Sequence, residues 1–83
     1  MKVTLKLYAS LSDYLPAEAR QNQVQLDVDD DATVGALIER YRLPPKLTHL
    51  VLVNGVFIAP AARATTVLRE GDQLAVWPPI AGG

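Results

Sequence analysis

The stretch 73–83, QLAVWPPIAGG, decides the fold of this chain of 83 residues. Its first five residues alternate, which predicts a β-strand with Leu74 and Val76 on one face and Trp77 on the other. Two prolines follow, and because proline has no N–H to donate to a sheet, the strand ends at Trp77. Consecutive prolines also favour an extended backbone. We therefore predict a final strand followed by an extended, flexible C-terminal tail over residues 78–83.

Two earlier segments alternate in the same way. Residues 2–8 place three apolar side chains on one face and Tyr8 on the other, and residues 23–28 repeat the pattern. Period-two alternation is typical of half-buried strands. We predict that these two strands pair in an antiparallel manner.

One amphipathic helix lies between the β segments. Val34, Leu37, Ile38 and Tyr41 follow the i, i+3, i+4, i+7 spacing of an apolar helix stripe. Thr33 precedes them and is suited to cap the first turn, since its hydroxyl can accept an orphan backbone N–H.

A hairpin follows the helix. Residues 50–53 are apolar throughout, which is typical of a strand covered on both faces. Asn54-Gly55 is the strongest short hairpin signal, because both central residues of the tight turn need positive φ. Residues 56–58 then form the return strand.

These elements predict a single α+β domain over residues 1–83, with the tail at its end. One helix packed on one face of a mixed sheet of four to five strands is the natural way to close a single core. The last strand is expected beside the first and parallel to it, although a long segment of chain separates the two. That arrangement is the β-grasp fold.

Composition excludes several kinds of function. The chain carries eight Lys and Arg against nine Asp and Glu, has no cysteine, and shows no cluster of basic residues. We therefore expect no disulfide, no internal thiol nucleophile and no nucleic-acid partner. We interpret the acidic run 29–31 as a helix start and not as a metal site, and expect no bound metal. The absence of a leader or a long apolar run predicts a soluble, cytoplasmic protein without membrane contact.

The candidate reactive group is the C-terminal carboxylate of Gly83. Gly82 and Gly83 carry no side chain, so they can enter a channel too narrow for any Cβ. By alternation Tyr8 and Trp77 face outward on neighbouring strands, so their rings are expected to lie together beside the tail. Phe57, out of phase with its neighbours on the return strand, is expected to join them. Clustered exposed aromatic side chains mark interfaces.

Three other polar residues receive a structural interpretation. Arg63 and Arg69 lie in loops near the last strand and are predicted to be solvated surface charges, with contact to an acidic partner as the alternative. His49 stands at the head of a strand without a nucleophile or carboxylate placed to form a triad, so we do not predict a catalytic role for it.

The residues also carry a family likeness. The segments 51–55 (VLVNG), 69–72 (REGD) and 77–83 (WPPIAGG) resemble the ubiquitin-like sulfur carriers, which include the MoaD and ThiS types. The aromatic-Pro-Pro-x-x-Gly-Gly ending looks more like the MoaD type, the small subunit of molybdopterin synthase.

The resemblance implies a carrier that is not itself an enzyme. A ubiquitin-activating-type adenylyltransferase (MoeB/ThiF type), using ATP and magnesium, would adenylate Gly83, and a persulfide donor would convert it to a thiocarboxylate. The tail would thread into a MoaE-type large subunit and deliver sulfur to the pterin precursor of molybdopterin. The resemblance assigns the docking role to Tyr8, Phe57 and Trp77, and the tail is formed by Pro78, Pro79, Ile80, Ala81, Gly82 and Gly83.

Three alternatives stay open at this point. In the first, the carrier serves thiamine synthesis or another sulfur pathway. Gly83 would instead form an isopeptide bond with lysines if the chain is a protein modifier. In the third alternative the chain is a plain β-grasp binding domain and its Gly-Gly ending is incidental.

Overall fold

The computed structural model describes residues 1–79, so the predictions for Ile80, Ala81, Gly82 and Gly83 lie outside the described residues. Along the chain the elements are β1 (Lys2–Leu7), β2 (Gln23–Asp27), α1 (Val34–Arg40), β3 (Leu50–Val53), β4 (Val56–Phe57) and β5 (Gln73–Trp77). Short 3₁₀ helices cover Ala9–Tyr14 and Pro60–Ala62.

The strands form one mixed sheet in the order β2-β1-β5-β3-β4. β1 is antiparallel to β2 and parallel to β5, with Leu5 opposite Leu74 and Leu7 opposite Val76. β3 is antiparallel to both β5 and β4. This is the predicted β-grasp architecture: the last strand lies in the centre of the sheet, beside the first.

The inner face of the sheet builds the core together with α1. The alternation of β1, β2 and β5 places every second side chain inward, and α1 covers them with Val34 and Leu37, while Ile38 and Tyr41 are half-buried. The largest fully buried side chains are Leu5, Leu7, Leu11, Leu68, Leu74, Val3, Val34, Val51 and Val76. Because the inner face is used for packing, the outer face and the edges are the parts of the sheet that stay accessible.

The start of α1 is held by a side chain and by the loop that follows β4. As predicted, the Thr33 hydroxyl accepts the Ala36 N–H, at 3.1 Å. The Gly35 N–H donates to the Arg63 carbonyl at 2.9 Å. A Cβ on Gly35 would lie 3.3 Å from both the Arg63 oxygen and the Ala64 Cα, so a larger residue would push the loop away by a few tenths of an ångström. The loop that carries Arg63 is therefore anchored to the helix.

The predicted hairpin is present, with Asn54 at φ +50° and Gly55 at φ +84°. Its turn is tied to β5, since the Asn54 amide donates to the Asp72 carboxylate at 2.8 Å and its oxygen accepts the Gln73 N–H at 2.9 Å.

The prediction that β3 is covered on both faces is wrong. Val51 is buried, but Leu50 is exposed and Leu52 is half-buried. The apolar side chains of β3 therefore serve two surfaces, the core and the outer face of the sheet.

Candidate docking face and tail exit

Tyr8 and Trp77 form a stacked pair on the outer face of the sheet. Parallel pairing of β1 with β5 continues one residue beyond Leu7, where the Tyr8 N–H donates to the Val76 carbonyl at 3.2 Å. The two ring centroids are 4.2 Å apart and the ring planes differ by 4°. The prediction that these rings lie together is confirmed, and both side chains are half-buried by the contact.

Leu50 and Leu52 extend this aromatic pair across β3. Leu50 lies directly opposite Trp77 in the antiparallel register, and Leu52 lies opposite Ala75. The sequence did not single out either leucine, because four consecutive apolar residues carry no period that separates an inward from an outward side chain. The outward assignment of Trp77, combined with the register between β3 and β5, is the signal that would have found them.

Phe57 lies at the far side of the same outer face. It pairs with Leu52 in the β3–β4 register, and its side chain is 55% exposed. It shares the face with Tyr8 and Trp77 as predicted, but the single aromatic stack within residues 1–79 is the Tyr8–Trp77 pair. We call these five outward side chains the apolar patch: Tyr8, Leu50, Leu52, Phe57 and Trp77.

The chain leaves the sheet beside this patch. The Trp77 carbonyl accepts the His49 N–H at 3.2 Å, which is the last rung between β5 and the segment before β3. Pro78 is buried and Pro79 is exposed. The tail was predicted to start at Pro78, but because that ring packs into the domain, the exposed segment starts at Pro79.

Arg63 differs from its prediction as a solvated charge. Its side chain is half-buried, and its guanidinium donates to the carbonyls of Ile58, Thr48 and His49 at 3.5, 3.2 and 3.3 Å. Burial lowers the pKa of the Arg63 guanidinium from its usual value, because it disfavours the charged form. Arg69, by contrast, is exposed.

Residues 1–79 contain no side-chain constellation suited to metal chemistry. No group of three or more His, Asp or Glu side chains in this part of the chain is placed to hold a metal ion, the acidic run 29–31 included. His49 is exposed, and its backbone N–H and carbonyl provide the contacts described above.

None of the helices in the described part of the chain has the length and apolar character needed to cross a membrane.

A five-stranded β-grasp sheet with one main helix, and an apolar patch beside the exit of a C-terminal tail, define a ubiquitin-like protein. The chain belongs to the ThiS family, whose model matches residues 7–83, and is thus a ubiquitin-like protein of the MoaD/ThiS carrier type.

Individual relatives agree with this assignment. The chain is 31% identical over 98 aligned residues to small archaeal modifier protein 3 of Haloferax volcanii, with all of both chains covered. The crystal structure of SAMP1 from the same organism is 30% identical, superimposes with a TM-score of 0.69, and is likewise covered in full. A chain in the complex of subunits 1 and 2 of molybdopterin-converting factor from Helicobacter pylori, 17% identical and fully covered, shares the fold with a TM-score of 0.62.

Proposed function

We propose that the protein is a sulfur carrier whose Gly83 carboxylate is adenylated, converted to a thiocarboxylate, and used to deliver sulfur to the pterin precursor of molybdopterin. The observation that carries this proposal is the apolar patch beside the tail exit, on a domain whose family match runs to Gly83. The aromatic-Pro-Pro-x-x-Gly-Gly ending, which resembles the MoaD type, supports the choice of pathway.

The chemistry of the proposal is simple for the carrier. A carboxylate is a poor electrophile, so one of its oxygens first attacks the α-phosphorus of ATP, and pyrophosphate leaves. The outer sulfur of a persulfide then attacks the acyl carbon, and AMP leaves. A second thiol cleaves the resulting S–S bond, which frees the thiocarboxylate and leaves a disulfide behind. ATP, magnesium and the thiols belong to the partners.

The contribution of the carrier is to position the Gly83 carboxylate. The apolar patch offers a partner a preformed surface of large side chains, and burying such side chains away from water stabilises a complex. Docking there would bring the tail to a fixed place, which converts an encounter between Gly83 and a reactive centre into an effectively intramolecular step. We propose a MoeB/ThiF-type adenylyltransferase and a MoaE-type large subunit as the two partners that use this face.

Intact-mass spectrometry tests the proposal. The purified chain is incubated with the adenylyltransferase of its own organism, ATP, magnesium and a persulfide donor. We expect a mass gain equal to the replacement of one oxygen by sulfur, and no gain in a variant that lacks Gly83. An unchanged mass in the full chain, with a control carrier charged by the same mixture, would refute the proposal.

A second candidate function is protein modification. The 31% identity to a small archaeal modifier protein favours it. In that case the activated Gly83 carbonyl is attacked by a lysine amine, and the product is an isopeptide bond. Conjugates of high mass that disappear in the Gly83 deletion would identify a modifier, whereas a thiocarboxylate without conjugates identifies a dedicated carrier.

The pathway is tested separately from the chemistry. We expect the gene to restore growth of a host that lacks its molybdopterin synthase small subunit. Rescue of a thiamine auxotroph instead would assign the carrier to the thiamine pathway.

A further inference from the structure

We infer that Arg63 is a positioning residue for the chemistry at Gly83, because its guanidinium occupies the place of a missing strand beside the start of β3 and so holds the point where the tail leaves the sheet. This inference rests on the proposed function of Gly83. It assigns to Arg63 an internal role, not a contact with the partner.

The start of β3 lacks a neighbouring strand on its outer edge. β4 has only two residues and pairs with Leu52 and Val53. One further bond, from the Ile58 N–H to the Val51 carbonyl at 2.9 Å, ends this ladder. Beyond it the chain turns away into the 3₁₀ helix Pro60–Ala62. Carbonyl groups at this edge therefore receive no hydrogen bond from a strand and are open to a side-chain donor or to water.

The Arg63 side chain supplies that donor. Its three nitrogens donate to Ile58, where the hairpin ends, and to Thr48 and His49, just before β3 begins. The planar guanidinium can bind several carbonyl oxygens in a fixed geometry, which the single point charge of lysine cannot do. One side chain thus joins the two diverging segments.

Arg63 is itself held firmly in place. Its carbonyl accepts the Gly35 N–H from the first turn of α1 at 2.9 Å, and a Cβ on Gly35 would crowd this contact. A continuous series of hydrogen bonds therefore runs from α1 through Arg63 to His49, and from the His49 N–H to the Trp77 carbonyl.

The last of these bonds helps to fix the tail exit, together with the buried ring of Pro78. Pro78 and Pro79 have no N–H, so neither can donate a backbone hydrogen bond to fix the chain after Trp77. The His49–Trp77 bond is the final rung before the tail. Trp77 is the last residue of β5, so its backbone position sets where the tail starts relative to the apolar patch. Catalysis is sensitive to displacements of about 1 Å in how reacting groups are held.

The test compares three variants with the wild-type chain. Arg63→Met keeps an unbranched stem and removes all donors, Arg63→Lys keeps the charge, and Arg69→Met is the matched control at an exposed arginine. Amide hydrogen exchange of His49 is measured by NMR in the isolated proteins. The kcat and KM of thiocarboxylate formation are measured with the adenylyltransferase, ATP and a persulfide donor.

We expect Arg63→Met to speed exchange at His49 and to lower kcat about tenfold with little change in KM, because the patch that binds the partner is intact. Arg63→Lys should restore part of kcat, and Arg69→Met should match the wild type. If Arg63→Met does not fold, Arg63→Lys alone must show reduced kcat and faster His49 exchange.

Two results would overturn the inference while the proposed function stands: a folded Arg63→Met protein with wild-type kcat, or a rise in KM alone, which would make Arg63 a direct partner contact. If the wild-type chain is never charged, the proposed function fails and the positioning role fails with it. The His49 exchange rates still show, in that case, whether the hydrogen-bond series exists.

Discussion

The outer face of the sheet has two halves that share one backbone architecture and differ in their side chains. The half built on β5, β3 and β4 carries the apolar patch, in which Phe57 is 55% and Leu50 is 37% exposed. The other half, on β2 and the starts of β1 and β5, alternates buried residues with exposed or half-buried ones, and all of its outward side chains are polar. We call it the polar half: Lys2, Thr4, Gln23, Gln25, Asp27 and Gln73.

The difference shows which half is built to remain in water. In the polar half, Lys2 donates to the Asp27 carboxylate at 2.9 Å. The free edge of β2 is closed at both ends, by the Arg20–Gln23 bridge and by Arg40, which donates to the Asp27 carbonyl at 3.3 Å. Such closure protects an edge strand from pairing with other chains. Among residues 1–79, the apolar patch has no comparable closing contacts. The half of the outer face that carries this patch is also the half beside the tail exit.

The largest effect on partner binding is expected from Trp77→Ala. Trp77 lies between Tyr8 and Leu50, and central aromatic side chains dominate interface energies, so affinity for the adenylyltransferase should fall by about 2 kcal/mol or more. The lost stack should also cost about 1 kcal/mol of folding stability. Calorimetric titration and urea unfolding measure the two effects. Unchanged affinity in the folded variant would remove Trp77 from the docking face.

Phe57→Ala is expected to separate binding from stability. Because the side chain is more than half exposed, its removal should leave the melting temperature nearly unchanged while affinity falls about tenfold, or about 1.4 kcal/mol. Gln25→Ala, an exposed substitution in the polar half, is the matched control and should alter neither quantity. Equal loss of affinity in both variants would show that partners do not distinguish the halves.

The smallest effect is expected in the polar half. The Lys2 ammonium, by hydrogen bond and charge, lowers the pKa of Asp27 from its ordinary value. A carboxyl whose pKa is depressed on folding contributes stability above its unfolded pKa and loses that contribution as the pH falls through its folded pKa. Lys2→Gln should therefore raise the Asp27 pKa. The loss of folding stability as the pH falls should become slightly smaller, and partner affinity should stay unchanged. NMR titration of Asp27 and unfolding at several pH values check this, and an Asp27 pKa that stays low in the variant would contradict it.

Much of the fold was predictable because the informative residues obey a period. Alternation in β1, β2 and β5 set which side chains face inward, Thr33 marked the start of α1, and Asn54-Gly55 marked the hairpin turn. Parallel pairing of the first and last strands then placed Tyr8 next to Trp77. Each of these inferences uses a local physical rule that the folded chain obeys.

The missed features depend on contacts without a local pattern. Leu50 and Leu52 belong to a uniformly apolar segment, so only the register with β5 shows which of its side chains face outward. Arg63 binds carbonyl oxygens, which every residue carries, and its partners lie up to fifteen positions away along the chain. Pro78 is buried through tertiary packing, which proline's lack of an N–H does not reveal.

An NMR titration of the labelled chain with its adenylyltransferase tests the division of the outer face most directly. The account predicts that the amide signals of Tyr8, Leu50, Leu52, Phe57 and Trp77 shift on binding, while those of residues 23–27 stay in place. Shifts concentrated in residues 23–27, with the apolar patch unaffected, would contradict it.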